Sequence, residues 1–122
     1  MTCGRKKLIY IAGAYTANPE VFYHVHEAVL KDLLLSTEYA PISPIVLAHG
    51  IAKKYKMPKA VDFWLNWNKD LICACSALGV IDFKFTVFSR GVELEKDFAK
   101  TCQIPIYPIV FADGFWQIGE SE

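Results

Sequence analysis

Val87 to Ala99 reads VFSRGVELEKDFA. A run with strand character, Val80-Ile81 and then Phe85-Thr86-Val87-Phe88, breaks at Ser89-Arg90-Gly91, where a helix is expected to begin. Ser89 suits the N-cap, because its hydroxyl can accept a bond from a free backbone N–H of the first turn. In helical phase Glu95 shares a face with Val92, Phe98, Ala99 and Cys102, whereas Glu93 sides with Arg90, Lys96, Asp97 and Lys100. Glu93 is therefore expected in solvent. Glu95 falls on the apolar stripe, where a carboxylate is costly unless something binds it or it has chemistry to perform. The structural alternative is a residue at the stripe edge that snorkels or bonds a backbone amide.

Working back from this unit, the chain alternates strands and helices. Lys7 to Ala12, ending at Gly13, reads as a central parallel strand. Residues 13–19 form a loop into a helix from Pro19 to Leu35, with Asn18 as N-cap and Pro19 at the first helical position. Its apolar face is Val21, Val25, Ala28, Val29 and Leu33, with Phe22. His24 and His26, two apart, cannot both face one site and are read as surface or partner-contact residues. Pro41 to Ala48 holds a second strand, closed by His49-Gly50, and Ile51 to Pro58 reads as a polar, lysine-bearing stretch, either one helical turn or a mobile loop over a site.

From Ala60 to Cys75 the pattern is helical, with Phe63, Trp67, Asp70 and Ala74 on one face. Asp70 there repeats the anomaly of Glu95. Two misplaced carboxylates on consecutive helices suggest a shared cleft. Leu78 to Phe83 is the third strand and Ile104 to Val110 the fourth. Ala112-Asp113-Gly114 is a hairpin signal that returns Phe115 to Ile118 as an antiparallel edge strand. This alternation implies an α/β layered domain with a mainly parallel sheet, whose ligand sites lie at the carboxyl ends of the strands. The loops at Gly13-Ala14-Tyr15, Pro44 to His49 and Ser89-Arg90-Gly91 all follow strands.

Composition agrees with a single domain over residues 1–122: 53% apolar, 21% charged, with thirteen basic and thirteen acidic residues. A net charge of zero offers no electrostatic footprint for nucleic acid. The run from Leu8 to Ala12 is too short for a signal peptide, and no apolar run reaches the length of a membrane span. Cys3, Cys73, Cys75 and Cys102 show neither a metal-ligand spacing nor a disulfide framework, and are read as reduced thiols of a cytoplasmic protein.

Taken together, Tyr10-Ile11-Ala12-Gly13, Asp70, and Ser89-Arg90-Gly91-Val92-Glu93-Leu94-Glu95 followed by Ala99 resemble the nucleoside 2-deoxyribosyltransferase superfamily, over Leu8 to Val110. That superfamily includes N-glycosidases of deoxynucleoside monophosphates. The resemblance implies a flavodoxin-like, Rossmann-like three-layer fold and a nucleophilic glutamate, matched by Glu95. It also implies an acid near the departing base, matched by Asp70, and a tyrosine that positions the nucleophile, matched by Tyr10. Ser89 matches a phosphate contact, and Gly13 and Gly91 match glycines that let backbone approach the ligand. Ala14 and Tyr15 belong to the same substrate-binding loop. A homo-oligomer is implied, with no cofactor and no metal. The chain departs from the family pattern at Ser76-Ala77-Leu78, where an acidic residue is common, at Ala14-Tyr15-Thr16, and in its short C-terminal segment.

The implied chemistry is coherent. Cleaving an N-glycosidic bond builds oxocarbenium character on the sugar and negative charge on the base. A carboxylate can trap the sugar covalently while an acid protonates the base. Water then makes a hydrolase and a second base a transferase. Trp64 and Trp67 could stack on a base, although at helical spacing they also read as core. A noncatalytic nucleotide-binding module and a purely structural domain are the competing expectations.

Overall fold

Residues 5–15, 17–58, 61–82 and 89–120 are described by the computed structural model. Its elements are β1 (Lys7–Ala12), α1 (Pro19–Leu33), β2 (Tyr39–Ile42), α2 (Pro44–Lys54), α3 (Val61–Ala74), β3 (Ala77–Ile81), α4 (Arg90–Thr101), β4 (Ile106–Ala112) and β5 (Phe115–Ile118). The five strands form one sheet in the order β2-β1-β3-β4-β5, parallel except for the β4–β5 pair. This is the α/β, flavodoxin-like arrangement with a C-terminal antiparallel edge. Phe85 to Phe88, expected as strand, lie outside the described residues, as does Cys3.

β1 is central and buried on both faces, with Ile9, Tyr10, Ile11 and Ala12 each at most 1% exposed. Strand alternation then sorts the core into two layers. Tyr10, Ala12, Leu78 and Val80 pack with Ile72, Cys75, Val92 and Ala99, on the side of α3 and α4. Ile11, Ile81 and Ile109 pack with Val29 and Leu33 of α1 on the other side. Each large side chain so buried stabilises the fold by roughly 1.5–3 kcal/mol.

The hairpin is as expected: Asp113 and Gly114 both have positive φ, 55° and 90°, matching the twist of the strands they join. On β5 the Trp116 N–H donates to Asp32 Oδ2 of α1 at 2.9 Å, so a helix carboxylate satisfies a donor on an edge strand.

Three readings are corrected. The second strand is only Tyr39–Ile42, and the apolar run after it is helix α2. Ser43 caps this helix by accepting from the Val46 N–H at 3.2 Å, and Pro44 occupies its first position, so the chain turns helical where it was read as strand. The segment expected as one helical turn or a mobile loop is helical through Lys54. Cys73 and Cys102, read as free thiols, are joined in a disulfide that ties the end of α3 to the cap of α4. They are 29 residues apart in sequence and meet because the two helices pack side by side. Cys75 is free and buried. The expectation of a cytoplasmic setting, which leaned on reduced thiols, loses that support. Among the described residues no helix is long and apolar enough to cross a membrane.

Candidate active site

Sheet order reverses between β1 and β3, and the chain leaving the carboxyl ends of those strands lines a cleft. Tyr10, Ile11, Gly13 and Tyr15 line it from β1 and the turn beyond; Ser89, Gly91 and Glu95 line it from α4. Residues of α2, among them His49, and of α3, among them Trp64, Trp67 and Asn68, complete the walls.

Ser89 caps α4 as expected, its hydroxyl accepting from the Val92 N–H at 3.3 Å. The predicted stripe holds: Val92 and Ala99 are buried, Glu95 and Phe98 half-buried, and Glu93 is exposed beside Lys96. Glu95 is thereby aimed at the sheet, where the fully buried Tyr10 donates its hydroxyl proton to Glu95 Oε2. Burial pushes the Glu95 carboxyl up to about 7, while the Tyr10 hydrogen bond pulls it down. Burial, and then the Glu95 charge, raise the Tyr10 phenol well above its usual value, so Tyr10 remains a donor.

Asp70 is the correction that matters most. It is exposed and does not line the cleft. The stripe containing Phe63, Trp67, Asp70 and Ala74 is exposed, and of these four Trp67 lines the cleft; the more buried face carries Trp64, Leu65, Asn68, Leu71 and Ile72. Among the described side chains, α3 brings the amide of Asn68 to the cleft.

The β1–α1 turn is held from below. His26, read as a surface or partner-contact residue, is 1% exposed, and its Nε2 donates to the Ala14 carbonyl at 3.1 Å. Burial pushes its imidazole down to about 4, so it is neutral, and its Nδ1 has no hydrogen-bond partner. Ala14 thus serves the turn through its backbone and does not line the cleft, whereas Gly13 and Tyr15 do. A Cβ at Gly13 would lie 2.8 Å from Ile81 Cδ1 and 3.1 Å from the His26 ring. Ile81 is itself locked in the core, so Gly13→Ala is expected to lower stability by about 1–3 kcal/mol, read by chemical denaturation. An unchanged midpoint would show that the turn can yield.

Across the cleft, Tyr15 Oη and His49 Nδ1 are 2.6 Å apart. His49 Nε2 lies 3.6 Å from Glu20 Oε1, which Lys53 Nζ approaches at 3.2 Å. The Tyr23 ring stacks on His49 with centroids 4.2 Å apart and planes at 14°. Burial, and then the Glu20 charge, raise the Tyr15 hydroxyl above its ordinary value. Sequence reasoning put Pro44 to His49 at this edge but did not single out His49, because most of α2 was read as strand. It missed Asn68 because α3 carries apolar residues on both faces; Leu71, Ile72 and Cys75 were the signal for the correct phase.

The aromatic wall is formed by Trp64 and Trp67, with ring centroids 5.9 Å apart. Trp64 Nε1 donates to the Pro58 carbonyl at 2.8 Å, which fixes its ring.

A family model described as a domain of unknown function (DUF1937) matches residues 7–110. No curated protein and no solved structure matches the chain.

Proposed function

We propose, for a chain that belongs to the DUF1937 family, cleavage or transfer at the N-glycosidic bond of a nucleoside or nucleoside 5′-monophosphate through a covalent glycosyl–glutamate intermediate. The observation that carries this reading is the Glu95 carboxylate, half-buried at a cleft and held by the buried Tyr10 hydroxyl. A carboxylate placed there has paid a desolvation cost that a nucleophile turns to use, since a poorly hydrated anion attacks more readily. Tyr10 orients it and stops short of protonating it. The Trp64 and Trp67 rings suit a base, Asn68 can read its edge, and the open first turn of α4 at Ser89 and Gly91 suits a sugar hydroxyl or a 5′-phosphate. The resemblance to the nucleoside 2-deoxyribosyltransferases supports the same assignment.

Base release followed by chromatography tests it, with ribo- and deoxynucleosides and their 5′-monophosphates, each with and without a free acceptor base. Base released by the parent chain and not by Glu95→Ala is expected, and acceptor dependence separates transferase from hydrolase. Because Glu95 must be ionised, kcat/KM is expected to rise tenfold per pH unit on the acid side and to level off above about 7. A profile flat from pH 5 to 8 would count against a carboxylate nucleophile with this environment.

The position of Asp70 favours one competing reading, a nucleotide-binding module without turnover, because among the described residues the cleft lining holds no second carboxylate. That module would bind the same panel and release nothing. The resemblance further carries the expectation of a homo-oligomer, which light scattering of the purified protein decides.

A further inference from the structure

With Asp70 turned to solvent, the proton for the departing base must come from elsewhere in the cleft. We infer that Tyr15, backed by His49 and Glu20, delivers it. This rests on the reading of Glu95 as nucleophile. The geometry is a succession of three groups: a phenol at the cleft, an imidazole nitrogen 2.6 Å from it, and a carboxylate 3.6 Å from the other ring nitrogen. His49 belongs to the cleft wall and is only 9% exposed, with Nδ1 hydrogen-bonded to Tyr15 and Nε2 facing the Glu20 carboxylate. Tyr23 stacked on one side fixes the plane of the ring and hence the direction of Nδ1 toward Tyr15.

The step balances. Glu95 attacks the anomeric carbon, and the C–N bond breaks with its electron pair passing to the base nitrogen. The base takes the Tyr15 hydroxyl proton, and Tyr15 Oη takes the Nδ1 proton of a His49 imidazolium. Products are a neutral base, a glycosyl ester of Glu95, an intact phenol and a neutral imidazole. Reactants and products carry the same net charge, and a charged pair, carboxylate and imidazolium, is consumed as the bond breaks. Attack of water or an acceptor base on the ester, with its proton returned through Tyr15 to His49 Nδ1, restores both. The charged and titratable groups facing His49 are Tyr15, Glu20 and Tyr23, with Lys53 and His24 acting on it through Glu20.

The test compares leaving groups. Tyr15→Phe and His49→Gln are assayed on the nucleoside panel and on 4-nitrophenyl 2-deoxyribofuranoside and ribofuranoside, whose phenolate departs without a proton. Loss of about 10²–10⁴ in kcat on nucleosides, with nitrophenolate release nearly intact, is expected. Equal losses on both substrate types would reduce the pair to structural roles and overturn the proposal. Nitrophenolate release by the parent with no base from any nucleoside would overturn the relay while sparing Glu95. Release of neither would sink the Glu95 reading and the relay with it. Independently of turnover, long-range nitrogen–proton correlation spectra at pH 6 should show a proton on His49 Nδ1 whose resonance moves in Tyr15→Phe. An unprotonated Nδ1 that accepts the Tyr15 hydroxyl would overturn the proposal.

Discussion

Glu95→Gln is expected to release base at least about a thousandfold more slowly than the parent while being more stable than the parent at pH 8. The first half follows from replacing a nucleophile by an amide of the same shape that cannot form the ester. The second follows from burial. Raising a carboxyl from 4.5 to about 7 means that keeping it ionised in the folded state costs on the order of 3 kcal/mol above that pH. Glutamine removes the charge and still accepts the Tyr10 hydroxyl. A gain of about 1–3 kcal/mol in urea denaturation at pH 8 should therefore shrink toward zero by pH 5, where the parent carboxyl is protonated. Opposite movement of activity and stability at one residue is the signature of a site strained for its chemistry. An active Glu95→Gln, or one less stable at pH 8, would leave Glu95 as an ordinary edge-of-core residue.

Acidification from pH 6.5 to 4.5 is expected to leave the stability of the parent nearly level, and to move Glu95→Gln and His26→Gln in opposite directions. Folded Glu95 holds a proton between about 4.5 and 7 that the unfolded chain releases, so its contribution is present in acid and lost as the pH rises through 7. His26 runs the other way. Its imidazole is pushed down to about 4 from 6.5, so its contribution is present above 6.5 and lost as the pH falls toward 4. Each amounts to on the order of 3 kcal/mol at full extent, and over the shared window they offset. Removing Glu95 exposes the His26 slope, with stability falling in acid. His26→Gln can keep the bond to the Ala14 carbonyl through its amide and exposes the Glu95 slope, with stability rising in acid. Urea denaturation of the three proteins at half-unit pH steps reads this directly, and parallel profiles would contradict it.

How far the sequence could be read depended on whether local signals agreed. At residues 89–99 the cap, the turn glycine and the apolar stripe all point one way, and Glu95 is where that reading puts it. At residues 18–19 and 43–44 the same device occurs twice, a capping side chain followed by proline. It is legible at Asn18, where a polar stretch precedes an amphipathic helix. At Ser43 it is masked, because Ile45-Val46-Leu47-Ala48 has the apolar continuity of a buried strand and short apolar runs do not declare their period. Asp70 shows a different limit. α3 packs inward through Ile72 and leaves Phe63 exposed on its other side, so its apolar residues allow two phases and only burial against β1 and α4 selects one. Nothing local marks His26 as buried, since its partner is a carbonyl twelve residues earlier. The pairing of Cys73 with Cys102 is likewise a product of helix packing.

The bond between Tyr10 and Glu95 spans 85 residues of chain. A ribosome makes Tyr10 early and Glu95 late, and the cleft residues contributed by α2 and α3 emerge between them. A growing chain therefore carries an unpaired phenol in its central strand until α4 has emerged and docked. Burial of Glu95 against Tyr10 therefore reports that residues made early and late in synthesis have come together.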